Sequence, residues 1–175
     1  MEMQLPDRQP LVERPDMPKG YGIASPQAGR MLEWAWVLDQ LEKSHNYWIS
    51  SNGTDGRPHS MPVWGVRLDN SVYFSTDRAS RKARNLAADA RVNLHLESGD
   101  EVVIIEGLAE EVSDRDTLSR MANAYNHKYL GMNYDADGLS SQFTVTYSVR
   151  PLRVLAWLEK DFPNTATRWR FDQGT

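Results

Sequence analysis

The chain has 175 residues, 40% hydrophobic and 25% charged, which suits one globular domain with a sizeable core. Its 20 Lys and Arg against 24 Asp and Glu give a net charge of -4, which argues against general nucleic-acid binding. There is no cysteine, so disulfides, thiol catalysis and cysteine metal sites are excluded, and no apolar run approaches the roughly 20 residues of a membrane-spanning helix.

Residues 1–29 read as an extended arm, rich in proline and glycine, of the kind that is disordered or laid across a neighbour. The first twenty residues carry four prolines and alternating charges rather than the apolar core of a secretion signal, so a cytoplasmic location is expected. A single domain should occupy 30–175. Leu32, Trp36, Val37 and Leu41 mark one apolar face of a helix over 30–45. A short strand over 46–51 then leads through the Gly-rich connection 52–57 into a strand over 59–68. After a tight turn at Asp69 and Asn70, residues 71–76 form a third strand, and 80–88 form a helix.

Residues 91–97 alternate cleanly, with Val92, Leu94 and Leu96 on one face, and 101–112 form a long strand whose apolar start suggests burial on both sides. Asp114 is placed to cap a helix whose apolar face is Leu118, Met121, Ala122, Tyr125 and Tyr129. A polar loop over 131–142 precedes strands over 143–149, 153–158 and 167–171. About seven strands with turn-length connections and three helices suggest a closed or partly closed antiparallel barrel with peripheral helices.

Most standard catalytic machinery is missing. His45, His59, His95 and His127 never pair at metal-site spacing, and each reads as a surface or hydrogen-bonded histidine. No dinucleotide fingerprint, phosphate-binding P-loop or nucleophile elbow occurs. No catalytic or metal-binding residue is therefore assigned. The chemistry-bearing feature is a cluster of cations, Arg78, Arg81, Lys82 and Arg84, which follows a strand ending in Ser75 and Thr76 and opens a helix. Hydroxyls at a strand end and cations at a helix N-terminus suit a phosphate dianion. The same residues also suit a solvated helix face. Without a nucleophile or dyad, a borrowed cofactor is the natural source of any chemistry, and the six tryptophans and seven tyrosines suit a core, a flat-ligand site or a subunit interface.

Four blocks in this region, Gly56-Arg-Pro-His-Ser-Met-Pro-Val-Trp64, Val72-Tyr-Phe-Ser-Thr-Asp77, Ser80-Arg-Lys-Ala-Arg-Asn-Leu86 and Ala90-Arg-Val92, resemble the pyridoxamine 5'-phosphate oxidase-like superfamily. Gly107-x-Ala109, Trp157 and Arg168-Trp-Arg-Phe171 fit it too, and the likeness spans roughly residues 31–172. The resemblance implies an antiparallel split β-barrel that binds FMN or, in one branch, the deazaflavin coenzyme F-420. By resemblance, Met61, Pro62, Val63 and Trp64 run along the flavin ring and ribityl chain. Ser75 and Thr76 meet the phosphate, and Arg81 and Lys82 clamp it. Trp157 and Arg168 match residues that reach the ring from the partner subunit, which implies a homodimer with its cofactor sites at the interface.

The implied activity is hydride transfer between that cofactor and a small organic substrate; a non-catalytic flavin-binding or ligand-sequestering role is the alternative. The expected partners are a second copy and a small molecule, with no nucleic acid or membrane. True pyridoxamine phosphate oxidases grip their substrate with an Arg-x-His pair just before the final Arg. Those places fall here on Asn164 and Ala166, so vitamin B6 oxidation is not expected.

Overall fold

The computed structural model describes residues 10–171. In chain order these form β1 (Leu11–Glu13), α1 (Trp34–Lys43), β2 (Tyr47–Asn52), β3 (Pro58–Val63), β4 (Val66–Leu68), β5 (Ser71–Asp77), α2 (Arg81–Ala88), β6 (Arg91–His95) and β7 (Glu101–Glu111). They continue with α3 (Arg115–Lys128), α4 (Ala136–Leu139), β8 (Thr144–Leu158), α5 (Phe162–Thr165) and β9 (Thr167–Arg170). The fold is an antiparallel split β-barrel with peripheral helices, and β8 is where it divides. The first half of β8 pairs with β5, its second half pairs with β9, and β7 runs beside almost its whole length. From there the sheet continues through β6 and β2 to the edge strand β3.

The expected strands over 143–149 and 153–158 are thus one. Pro151 does not break it, because the register against β7 shifts between Glu106 and Gly107. A β-bulge of this kind admits a residue that cannot donate to the ladder. Gly107 is required there: a Cβ would collide with the Arg150 carbonyl oxygen.

The opposite correction applies to 59–68, which is two strands interrupted at Trp64 and Gly65. A Cβ on Gly65 would come within 2.9 Å of the Tyr73 carbonyl oxygen. Its N–H is taken by the Tyr129 hydroxyl at 3.0 Å, and that hydroxyl lies within donating distance of the carbonyls of Gly65 (2.9 Å) and His45 (2.7 Å). The side chain of Tyr129, which caps the C-terminus of α3, has replaced the ladder at this point.

The expected polar loop also contains α4, capped by Asp135 and anchored by the buried side chains of Ala136 and Leu139.

Two apolar clusters result. One fills the barrel, including Tyr47, Ile49, Phe74, Leu94, Val149 and Trp169. The other lies under α3 and α4, where the expected face of Leu118, Met121, Ala122, Tyr125 and Tyr129 is buried with Val66 and Leu139. Each fully buried side chain of this size contributes about 1.5–3 kcal/mol.

Residues 1–9 of the expected arm lie outside the described residues. Within 10–29, β1 pairs with β9 of its own chain. Arg14 donates to the carbonyls of Asn164 (2.7 Å), Ala166 (2.9 Å) and Ala28 (3.0 Å). No helix among the described residues is long and apolar enough to cross a membrane.

Candidate functional site

The site begins with helix α2. Ser80 caps it by accepting the Ala83 N–H at 3.1 Å, which fixes where the helix starts and so where the next side chains project. The structure then divides the four cations. Arg78 is held by the Glu111 carboxylate at 2.6 Å and the Ser141 carbonyl at 3.0 Å. Arg84 folds back on the Ala79 carbonyl.

The other two remain available. Arg81 leans toward the β2–β3 turn, with Asp55 4.0 Å away. Lys82 is 92% buried by surface area, lies 5.7 Å from the Phe74 ring centre, and has no ion pair among the described residues. Burial pushes its ammonium below the usual lysine range. A desolvated, unpaired cation is costly to keep, and an anion placed against it removes that cost.

Lys82 opens on a cavity of about 250 Å³ lined by Pro62, Val63, Trp64, Ser75, Lys82, Tyr125, Tyr134 and Leu139. The cavity sits on the seam between the two apolar clusters: β3 and its exit supply one wall, β5 and α2 the base, and α3 and α4 the opposite wall. Five of the sequence-assigned residues meet there. Ser75 is tied to Thr146 at 2.7 Å, and Thr146 donates to the Leu139 carbonyl at 2.7 Å. The Ser75 proton therefore goes to Thr146, which leaves the Ser75 oxygen as an acceptor only.

Thr76, on the other face of the strand, donates to Ser80 at 3.2 Å and does not line the cavity. Met61 lies on the edge strand β3 and is 48% exposed. Trp157 and Arg168 are elsewhere. The Trp157 indole donates to Glu159 at 3.1 Å and stands edge-on to Phe162, and Arg168 is engaged by Glu13.

Sequence reasoning did not assign Tyr125, Tyr134 or Leu139 to the site. Tyr125 was legible only as part of an apolar helix face. Its hydroxyl donates to the Trp64 carbonyl at 2.9 Å, and Trp64 stacks on Tyr129 with ring centres 4.7 Å apart. These contacts lock the kinked β3 exit against α3, so the wall of the cavity is rigid. Burial, with neighbouring tyrosines, raises the Tyr125 hydroxyl well above its ordinary range, which keeps it neutral. No cluster of three or more metal-capable side chains occurs among the described residues.

The fold is thus an antiparallel split β-barrel in which a buried lysine lines a cavity beside the capped N-terminus of α2. The family model for pyridoxamine 5'-phosphate oxidase matches residues 36–158, and the chain belongs to that family. Among solved structures it is similar to the conserved hypothetical protein Rv2991 from Mycobacterium tuberculosis, at 28% identity and a TM-score of 0.66 over 75% of this chain and 88% of that one. An F420 reductase matches at 21% identity and a TM-score of 0.54, covering 66% of this chain and 93% of that one. The haem storage protein HutZ from Vibrio cholerae matches at 16% and 0.56, covering 70% and 91%. The last two likenesses show the fold alone. No curated protein matches the chain.

Proposed function

We propose that this chain binds a phosphate-tailed flavin, FMN or the deazaflavin F-420, and serves as an oxidoreductase for a small organic substrate. The observation that carries the reading is Lys82: a buried ammonium without a counter-ion among the described residues, lining a cavity at a capped helix N-terminus beside Arg81. Lys82 and Arg81 fit the phosphate, Ser75 can accept from a ribityl hydroxyl, and Pro62, Val63 and Trp64 offer an apolar edge to the ring. When bound, such a ring supplies hydride transfer. The chain's own part is to orient the ring, exclude water and balance charge, because the cavity lining contains no carboxylate or imidazole.

A volume of about 250 Å³ is below the roughly 300–1,000 Å³ of pockets that enclose a cofactor alone. A second copy laid over Met61 and Trp64 would complete it, with Trp157 and Arg168 reaching in from that copy. Vitamin B6 oxidation is not the proposed activity. The carbonyls of Asn164 and Ala166 are occupied by Arg14, and neither side chain can anchor a substrate phosphate as Arg and His would.

The same lack of an acid or base in the lining also suits a protein that only sequesters its ligand, and haem storage by a protein of this fold gives that reading a precedent. Reducing the bound cofactor and offering candidate acceptors separates the two. Rapid reoxidation by an organic acceptor supports the oxidoreductase; a bound ring inert to every acceptor supports sequestration.

A further inference from the structure

We infer that His59 is a third basic group of the phosphate subsite, one that acquires its proton when the phosphate arrives. This rests on the cofactor reading above and adds a residue to it. In the β2–β3 ladder His59 stands opposite Ser51, and directly paired residues share one face of a sheet. That face is covered by α2, because Asn85 donates to the Ser51 hydroxyl at 3.1 Å. Arg81 precedes Asn85 by one helical turn, on the same flank.

The Nδ1 of His59 is closed to solvent and has no hydrogen-bond partner among the described residues. Buried ring nitrogens are normally satisfied, and an orphan beside the unpaired Lys82 and the weakly paired Arg81 is a group waiting for an acceptor.

The charges around His59 are one-sided. Arg81 and Lys82 act on it from α2. From the β2–β3 turn, the Asp55 carboxylate is shared between Arg57 at 3.7 Å and Arg81 at 4.0 Å. At the far end of α2, Asp89 is consumed by Arg91 and Asn52. Burial first, then Arg81 and Lys82, hold the imidazole below its ordinary range, so the free protein carries it neutral near pH 7.

A phosphate dianion reverses the local sign and favours the imidazolium, which can donate to it. Binding then takes up a proton. Affinity rises as pH falls through the raised, bound-state value and levels off below the lowered, free-state one. The phosphate's own second ionisation, near about 6, works the other way. The informative quantity is therefore the ratio of wild type to a His59 variant.

The experiment is titration of ligand-free protein with FMN, followed by flavin fluorescence from about pH 8 to about pH 6, for wild type and His59→Gln. Calorimetry in two buffers of different ionisation heat counts the protons, and the His59 ring proton is followed by NMR in the wild type. The affinity advantage of wild type should grow about three- to tenfold over that range, with proton uptake lost in the variant and an upward shift of the imidazole titration on binding. Riboflavin, which lacks the phosphate, should produce no such shift. FMN binding with parallel pH profiles and an unmoved imidazole overturns the role of His59 and leaves the cofactor site standing. Failure of wild type to bind FMN or F-420 at all overturns the cofactor reading, and this inference with it.

Discussion

Arg168 donates from Nε to Oε1 of Glu13 at 2.9 Å, and the same oxygen takes Nε of Arg170 at 2.7 Å. The arm is thus fastened to the last strand by one carboxylate between two guanidiniums, in addition to its three-residue ladder. Arg168 and Glu13 are about three-quarters buried, so the pair is shielded more than an exposed one. Replacing Glu13 by Gln keeps the shape and removes the charge. The expected cost is about 1 kcal/mol, read as a Tm lower by about 2–4 °C. An unchanged Tm would mean that strand pairing and Arg14 alone hold the arm.

Lys82 is a buried cation that opposes folding. Lys82→Met keeps the length of the side chain without its charge. In ligand-free protein the Tm should rise by about 2–4 °C, while FMN affinity falls at least about tenfold. The sign of the pH dependence follows from the lowered ammonium. Between its folded value and the ordinary lysine value near about 10.4, the unfolded chain holds a proton that the folded chain has released. Wild-type stability therefore recovers as pH rises through that window, and the advantage of the Met variant shrinks. Thermal melts at neutral and alkaline pH check both parts.

Lys128 gives a second, separable pH signal. It donates to the Tyr47 hydroxyl at 2.6 Å, lies 4.6 Å from that ring's centre, and is pushed by burial down to about 8. Its penalty is fully present below that value and is relieved as pH rises toward the unfolded value near about 10.4. Wild-type stability should climb across this interval more steeply than that of Lys128→Met. Equal slopes in denaturant titrations would show that the ammonium is not desolvated.

Tyr129 should report on the kink that shapes the site. Tyr129→Phe leaves the Gly65 N–H buried without its acceptor, and the expected cost is about 1–3 kcal/mol. Because Trp64 stacks on the same ring, cofactor affinity should fall as well. A stability loss with unchanged affinity would mean that Trp64 keeps its place without the kink.

The parts of the site legible in the sequence are those encoded locally. Ser75, Lys82 and the Ser80 cap lie within a few residues of one another, and strand-end hydroxyls before a capped basic helix form a local pattern. The same spacing could not distinguish Lys82 from Arg78, because the partner that occupies Arg78 is Glu111, thirty-three residues away. The break at Gly65 was hidden for the same reason: its cause is Tyr129, at the end of a distant helix. Tyr134 and Leu139 fell in a stretch whose polar composition masked α4, and Pro151 suggested a strand boundary that the bulge at Gly107 removes. The arm's pairing with β9 had no local signature, since Arg14 donates to backbone carbonyls some 150 residues away.

The central claim is that Arg81 and Lys82 hold a ligand phosphate. It is tested most directly by titrating ligand-free wild type and the Arg81→Ala, Lys82→Ala double variant with FMN and with F-420, followed by fluorescence. Each charge-assisted bond is worth about 1.5–3 kcal/mol, so the double variant should lose well over tenfold in affinity for whichever cofactor the wild type prefers. Tight wild-type binding that survives both substitutions, or no binding of either cofactor, would contradict the account.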